Sequence, residues 1–291
     1  MQMIPFDKRD GFIWFNGSLI KWDEAKIHVL NHGLHYGSCV FEGIRIYDGK
    51  IFKLDEHIER LFKSAEILDL KIPYSLNTII IQTKNIVKTQ GVRDGYIRPV
   101  VWRGSEMMAI SAKGASTNIA IACWEWPSYF SPEKLMQGIK LSLSKWTRPS
   151  PSSAPTDSKA AGLYMICSLS KHEAEKKGFD DALMLDYRGF VAEATGANIF
   201  FVKKGELFTP TADCFLNGIT RQTVIEIAKE NNFIVNEGHF KPEFLENCEE
   251  CFLTGTAVEI TPIQSIDEYI FEERDVTKKL IKEFKRKVLG Q

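Results

Sequence analysis

Two dipeptides restrict the fold of this chain more than any other feature. Asn16-Gly17 divides the run "FIWFNGSLIKW", and Asp48-Gly49 divides "VFEGIRIYDGKIFKL". Each pair suits the positive-φ turn of a two-residue β-hairpin between short alternating strands. A hairpin joins antiparallel neighbours, so the sheets are built locally rather than through long parallel crossovers. Helices are inserted between the strands. Ile58, Leu61, Phe62, Ala65 and Leu68 recur at helical spacing behind Asp55, which is placed to cap them, and a second amphipathic helix is predicted from Ser75 to Thr89. The strands "GYIRPVVWRG" and "NIAIACWEW" follow, and Pro99 predicts that the first is an edge strand or carries a bulge.

The pattern breaks around "PSYFSPEKLMQG". A chain of 291 residues is long for one core and natural for two. The boundary is placed there: a small N-terminal domain over 1–127, an interdomain loop over 128–137 and a larger C-terminal domain over 138–291. The second part opens on "IKLSLSKW" and the Pro- and Ser-rich "TRPSPSSAPTD". Lys159 then begins a predicted helix, with Tyr164 and Ile166, that stops at Gly178. The strands "ALMLD", "GFVAEA" and "NIFFVKKGELFTP", a helix from Thr220 to Asn231, the strand "CFLTG" and the polar-faced helix "VTKKLIKEFKRKVL" complete the order. Strands and helices do not alternate as βαβα, so the class is α+β with largely antiparallel sheets.

The totals exclude several kinds of function. Net charge is -1, which offers no basic field for nucleic acid or anionic membrane. No apolar run approaches the ~20 residues of a membrane helix, and the N-terminus lacks the apolar stretch of a signal peptide. Six cysteines scattered through the chain suit a reducing, cytoplasmic setting rather than a disulfide framework.

Four stretches exceed what local structure needs. Lys159 stands among small residues in "PTDSKAAGLYMICS", at a helix start where acids are usual. Glu193 interrupts an apolar strand end in "VAEATGANIF" and must be paired or serve a cation. "FLNGITRQTV" sets a glycine before Thr220 at a helix start, and "FLTGTAVEITP" sets Gly255-Thr256-Ala257 after a strand; both can aim amides at an anion. Each also has an ordinary reading: a cap, a turn, a structural ion pair. Jointly they supply an amine, an acid and two anion cradles, which fits a soluble two-domain enzyme with an anion site.

The motifs go further. "HGLHYGSCVFEGIR", "HIERLFKSAE", "YIRP", "SKAAGLY", "AEATGANIF", "NGITR" and "GTAVEITP" stand in this order across nearly the whole chain. In them the chain resembles the class IV, fold-type IV pyridoxal-phosphate (PLP) aminotransferases, and within these the bacterial branched-chain amino acid aminotransferases. The resemblance implies a C-terminal pseudo-barrel and transamination of L-leucine, L-isoleucine and L-valine with 2-oxoglutarate by a ping-pong cycle. It implies that Lys159 is the Schiff-base lysine, nucleophile first and proton carrier second, with burial beside a cationic ring favouring the neutral amine. Glu193 would face the pyridine nitrogen. Arg60, Gly218, Ile219, Thr220 and Thr256 would hold the phosphate, and Tyr164 would donate to the phenolic oxygen. Tyr36, Phe41, Trp126 and Tyr129 match an apolar substrate wall, and Tyr96 and Arg98 a polar rim, Arg98 for the distal carboxylate of glutamate. The amides of Thr256 and Ala257 would take the α-carboxylate. Tyr36 and the loop at Met107 to Ala109 would reach a neighbouring subunit, implying a homodimer or homohexamer. Two positions depart from the family pattern: Asn217 replaces a common proline, and Ala197 a common glutamate.

Other readings stay open beside this one. A D-amino acid aminotransferase or an aminodeoxychorismate lyase shares the class. A lysine aldolase without PLP would leave Arg60, Glu193 and "NGITR" without a role, and a non-enzymatic homologue would leave every chemical position idle. Cys248 and Cys251 form a CxxC without the second pair a zinc site needs, and read as inert thiols with Cys251 facing inward. His28, His32 and His35 lack a carboxylate to complete a metal site and read as loop hydrogen-bonders, so no metal is expected.

Overall fold

The computed structural model describes residues 4–126, 134 and 137–291. The chain divides into two compact units: Met1–Pro127 with Ser158–Gly162, and Ser128–Asp157 with Leu163–Gln291. Lys159 therefore clusters with the first unit. Tyr129 and most of the 128–137 loop lie outside the described residues.

The first unit is a seven-stranded sheet. Its strands are β1 (Phe12–Phe15), β2 (Ser18–Lys21), β3 (Cys39–Phe41), β4 (Ile44–Tyr47), β5 (Lys50–Ile51), β6 (Gly95–Arg103) and β7 (Thr117–Glu125). They run in the order β2-β1-β7-β6-β4-β5, β3 pairing with β6, and every pairing is antiparallel. Both expected hairpins form. Asn16 and Gly17 have φ of 45° and 95°, and Asp48 and Gly49 of 45° and 78°, the twist that suits flanking strands. The short α1 (His32–Tyr36) precedes β3. The helices α2 (Leu54–Ile67) and α3 (Leu76–Gln90) cover one sheet face, burying Ile58, Leu61, Ile79 and Ile86 against Trp14, Ile44, Ile97 and Ile121. Each such side chain contributes roughly 1.5–3 kcal/mol of burial. Ser75 caps α3, its Oγ accepting from Thr78 N at 3.1 Å.

Two expectations need correcting here. Asp55 is not the cap of α2: the cap is Lys53, at φ 49°, and Asp55 lies within the first turn, where its charge still suits the helix dipole. Pro99 does not mark an edge or a bulge. β6 is central, and Pro99 pairs with Ile121 in continuous register. Its other side faces the interruption between β3 and β4, where its carbonyl accepts from Glu42 N at 2.9 Å. The missing N–H thus falls where the neighbouring strand is broken.

The second unit carries a nine-stranded sheet. Its strands are β8 (Ile139–Leu143), β9 (Asp181–Leu185), β10 (Val191–Ala194), β11 (Asn198–Lys203), β12 (Glu206–Pro210), β13 (Val235–Gly238), β14 (Glu250–Gly255), β15 (Glu259–Ile266) and β16 (Tyr269–Ile270). The order is β10-β9-β8-β15-β14-β11-β12-β13, and β10 pairs again with β11, closing six strands on themselves. The closing register pair is Glu193 with Asn198. β8 pairs in parallel with β9 and β15, and β12 with β13; the other pairings are antiparallel. Ile139, Leu183, Ile199, Phe201, Leu253 and Ile263 fill the core. The helices α4 (Tyr164–Lys176), α5 (Ile219–Glu230) and α6 (Asp275–Leu289) pack on this sheet, α5 and α6 also on each other. α4 does not begin at Lys159. Ala160 bridges to Val40 of β3, a single 3-10 turn follows at Ala161–Leu163, and the helix starts at Tyr164. Lys159 is therefore extended, and its position needs no accommodation with a helix dipole.

Candidate functional site

In the first unit the backbone of Lys159 is held from two sides. Its carbonyl accepts from Phe41 N at 3.2 Å, and its amide donates to the buried Ser64 hydroxyl of α2 at 3.0 Å. Ser158 Oγ donates to Ser64 O at 3.0 Å, which adds a second tie to the same helix residue. The Lys159 amine stands 5.0 Å from the centre of the Phe41 ring, and the Arg98 guanidinium 4.6 Å from it. One aromatic ring thus neighbours both the lysine expected to hold the cofactor and the arginine expected to take a distal carboxylate.

Arg98 donates to Tyr96 Oη at 3.2 Å, while its Nε is buried without a hydrogen-bond partner. That atom suits an incoming anion. Tyr96 packs 5.4 Å from Trp126, whose backbone carbonyl accepts from Arg45 at 3.1 Å. Tyr36 ends α1, largely exposed, and stacks on His32 at 4.6 Å. On the sheet face away from α2 and α3, a cavity of about 610 Å³ runs past Phe15, Leu34, Cys39, Arg98 and Trp102 to Gly162. It is apolar apart from Arg98 and Asn31, as a branched aliphatic side chain requires.

Arg60 has a partner that the sequence reading missed. Its Nε and a terminal nitrogen grip Glu42 at 2.6 and 2.9 Å, and His57 Nδ1 meets the same carboxylate at 2.7 Å. Glu42 is fully buried. Burial pushes its pKa up, but Arg60 and then His57 outweigh that and hold it well below the ordinary carboxylate range. His57 is lowered from its ordinary 6.5, because burial exceeds the opposing pull of Glu42. The signal was present: Glu42 lies in a motif singled out above, and His57 and Arg60 are three apart on one helix face.

In the second unit Glu193 is nearly buried, and Arg148 approaches it to 3.4 Å. Burial would lower the pKa of Arg148, yet the neighbouring Glu193 leads the influences that outweigh that and raise it. Asn198 donates one amide hydrogen to Glu193 Oε2 and one to Leu216 O, each at 3.1 Å, and its Oδ1 accepts from Gly218 N at 3.1 Å. Gly218 is the N-cap of α5, which has no side-chain cap, so the helix opens at Ile219 and Thr220 with its amides directed outward. Asn217 accepts from Arg221 at 3.0 Å, and Arg221, fully buried, also reaches Pro210 O and Glu237. Asn217 thus supplies an anchor where a proline would supply stiffness. Thr256 and Ala257 form the turn between β14 and β15, and Tyr164 is the first residue of α4. Arg148 and Asn198 were also missed. Arg148 was hidden in the Pro- and Ser-rich stretch, and Asn198 read as an ordinary strand residue.

The remaining clusters do not compete with these. All six cysteines are free thiols; Cys248 and Cys251 are both buried in the core, and burial pushes Cys248 up to about 12. His28, His32 and His35 bond to Leu30 N, to Ser38 with Ala109 O, and to Val29 O. Asp186, Asp213 and Cys214 bring ligand-type atoms within 4.8 Å of one another, but Arg188 bridges both carboxylates and supplies the cation itself. Among the described residues no helix is long and apolar enough to cross a membrane.

The first unit thus offers an amine and a guanidinium beside one aromatic ring, and the second a buried acid and a helix start without a side-chain cap. The amino-transferase class IV family matches residues 39–266, and the chain belongs to that family. It is similar to the probable branched-chain-amino-acid aminotransferase of Rickettsia felis, 47% identical over 98% of this chain and 99% of that protein. It is similar in structure to the branched-chain amino acid aminotransferase of Escherichia coli, with a TM-score of 0.92, 38% identity and coverage of 95% of this chain and 94% of the other. The enzyme of the same name from Thermobaculum terrenum, solved in its PLP form, gives a TM-score of 0.88 at 31% identity, covering 97% and 94%.

Proposed function

We infer that this chain is a PLP-dependent branched-chain amino acid aminotransferase, moving the amino group between L-leucine, L-isoleucine or L-valine and 2-oxoglutarate. The observation that carries the reading is the shared Phe41 ring, with Lys159 at 5.0 Å and Arg98 at 4.6 Å from its centre and Arg98 lining an apolar cavity. The similarity to branched-chain enzymes at 38–47% identity supports the substrate class, and the PLP form of the Thermobaculum terrenum enzyme supports the cofactor. The unpartnered Nε of Arg98 supports a second substrate that carries a distal carboxylate, as 2-oxoglutarate does.

The cofactor, when bound, supplies an aldehyde that takes the amino group and a protonated ring that draws electrons from the substrate. Lys159 would be the residue that holds that aldehyde, and its amine would serve as the proton carrier at the substrate α-carbon. Glu193, with Arg148 beside it, would face the ring nitrogen. Arg60, Gly218, Ile219, Thr220 and Thr256 would hold the phosphate, and Tyr164 would donate to the phenolic oxygen. Phe41, Tyr96 and Trp126 would enclose the apolar side chain, the wall to which the family resemblance also assigns Tyr129. Arg98 pairs with the second carboxylate of glutamate, and Thr256 and Ala257 take the α-carboxylate through their amides. Tyr36, Met107, Met108 and Ile110 are exposed apolar residues suited to a second copy, so the working unit is a homodimer or homohexamer. A cytoplasmic setting suits six unpaired thiols.

The test is the visible spectrum of PLP-loaded protein with L-leucine, and with D-alanine in parallel. Conversion of the cofactor band by L-leucine alone is expected. Conversion by D-alanine alone would assign the D-amino acid branch, and no cofactor band at all would end the account of Lys159.

A further inference from the structure

We propose that Asn198 is a positioning residue that sets the acid facing the cofactor ring and the phosphate-holding helix start as one body. The inference rests on the roles given above to Glu193 and to Gly218–Thr220. Asn198 is almost completely buried, and its amide satisfies three groups at once, each at 3.1 Å: Glu193 Oε2, the carbonyl of Leu216 and the N–H of Gly218. The orientation of the amide is fixed by chemistry, since the two acceptors can be served only by its nitrogen and the Gly218 donor only by its oxygen. Glu193 and Asn198 are also the register pair through which β10 and β11 close the sheet. On the far side, a Cβ at Gly218 would collide with Asn198 Oδ1. The backbone dihedrals of Gly218, φ -63° and ψ 139°, suit any residue. Glycine is needed there to let the chain approach the amide. A shift of Gly218 is therefore transmitted to Glu193 through one side chain.

Affinity measured with two probes separates this from a purely architectural role. PLP reports the ring and the phosphate sites together; pyridoxal, which lacks phosphate, reports the ring site alone. Apo-protein is titrated with each, and unfolding is followed in parallel. Asn198→Asp keeps an oxygen for the Gly218 N–H but turns a carboxylate towards Glu193. Pyridoxal affinity should fall about tenfold, the loss expected of one hydrogen bond to a charged group, while the PLP-to-pyridoxal affinity ratio stays near that of the unaltered protein. Gly218→Ala is the second variant, because its backbone tolerates the change. It should weaken pyridoxal as well as PLP, although the probe has no phosphate to miss. Unchanged pyridoxal affinity in both variants, with only the unfolding midpoint lowered, would overturn the proposal. Two controls guard the underlying roles: Glu193→Gln must weaken pyridoxal, and Thr220→Ala must lower the PLP-to-pyridoxal ratio. If the controls fail, the roles of Glu193 and Thr220 fail; if the controls hold and the Asn198 and Gly218 variants do not respond, the coupling alone is wrong.

Discussion

Glu42 and Glu193 are both buried carboxylates, one in the break between β3 and β4 and the other on β10, and they are held in different ways. Glu42 takes three charge-assisted bonds of 2.6–2.9 Å from Arg60 and His57. At Glu193 the bonds described are longer: a neutral amide at 3.1 Å and a guanidinium at 3.4 Å. A buried carboxylate gripped at short range by two partners on one helix ties that helix to the segment that carries it. Glu42 thus builds structure, whereas the function proposed above has Glu193 act on the cofactor ring.

The largest effect expected is on the builder. Glu42→Ala leaves Arg60 and His57 facing each other without their anion, and breaking a buried pair in this way costs about 3–5 kcal/mol. Urea unfolding of the apo-protein reads it directly. A loss below about 1 kcal/mol, the worth of a surface pair, would erase the distinction. Glu193→Gln should weigh the other way, on turnover more than on stability. Glutamine still accepts from Asn198 but leaves the buried Arg148 without its carboxylate, so the stability loss should be real yet smaller than at Glu42, where the pair is shorter. Turnover of the PLP-loaded enzyme should fall roughly 10²–10³-fold, the usual consequence of removing one preorganised electrostatic group. Equal turnover in the variant would move Glu193 into the structural class with Glu42.

Arg98 extends the comparison to a half-buried cation, whose Nε has no hydrogen-bond partner and which the function proposed above gives to a substrate carboxylate. Arg98→Ala should lower kcat/KM for glutamate about tenfold more than for leucine, because only glutamate brings a second carboxylate to be paired. Equal losses on both substrates would return Arg98 to a packing role.

How far the sequence foretold this follows from the range of the interactions concerned. The hairpins at Asn16-Gly17 and Asp48-Gly49 were legible because two adjacent residues decide a turn. The start of the second helix, placed at Ser75 and found one residue later with Ser75 as its cap, was legible from its periodicity. Pro99 misled because its tolerance depends on a gap in a neighbouring strand at Glu42, far away along the chain. Lys159 misled because its extended backbone is imposed by Phe41 and Ser64, not by its own neighbours. The candidate residues were reached by motif, and what motif did not reveal was the layer behind them. Glu42, Arg148 and Asn198 touch the named residues through contacts that no local pattern encodes.

The smallest effect tests whether the Glu42 cluster is as closed as its distances suggest. His57 faces Glu42, Arg60 and Lys159, and its pKa lies below the ordinary 6.5. Between the lowered value and 6.5 the unfolded chain binds a proton that the folded chain refuses. Stability therefore rises with pH across that window, is complete above about 6.5, and is lost as pH falls. Glu42 adds nothing there, since its own depressed pKa acts only below the ordinary 4.5. His57→Gln retains a donor for Glu42 and removes the titration. The slope of unfolding free energy between pH 6.5 and 5 should flatten by up to about 1.4 kcal/mol per pH unit, the value of one proton. An unchanged slope would mean that His57 takes up its proton in the folded state, which requires an open cluster with Glu42 only partly claimed by Arg60. The contrast with Glu193 would then be one of degree.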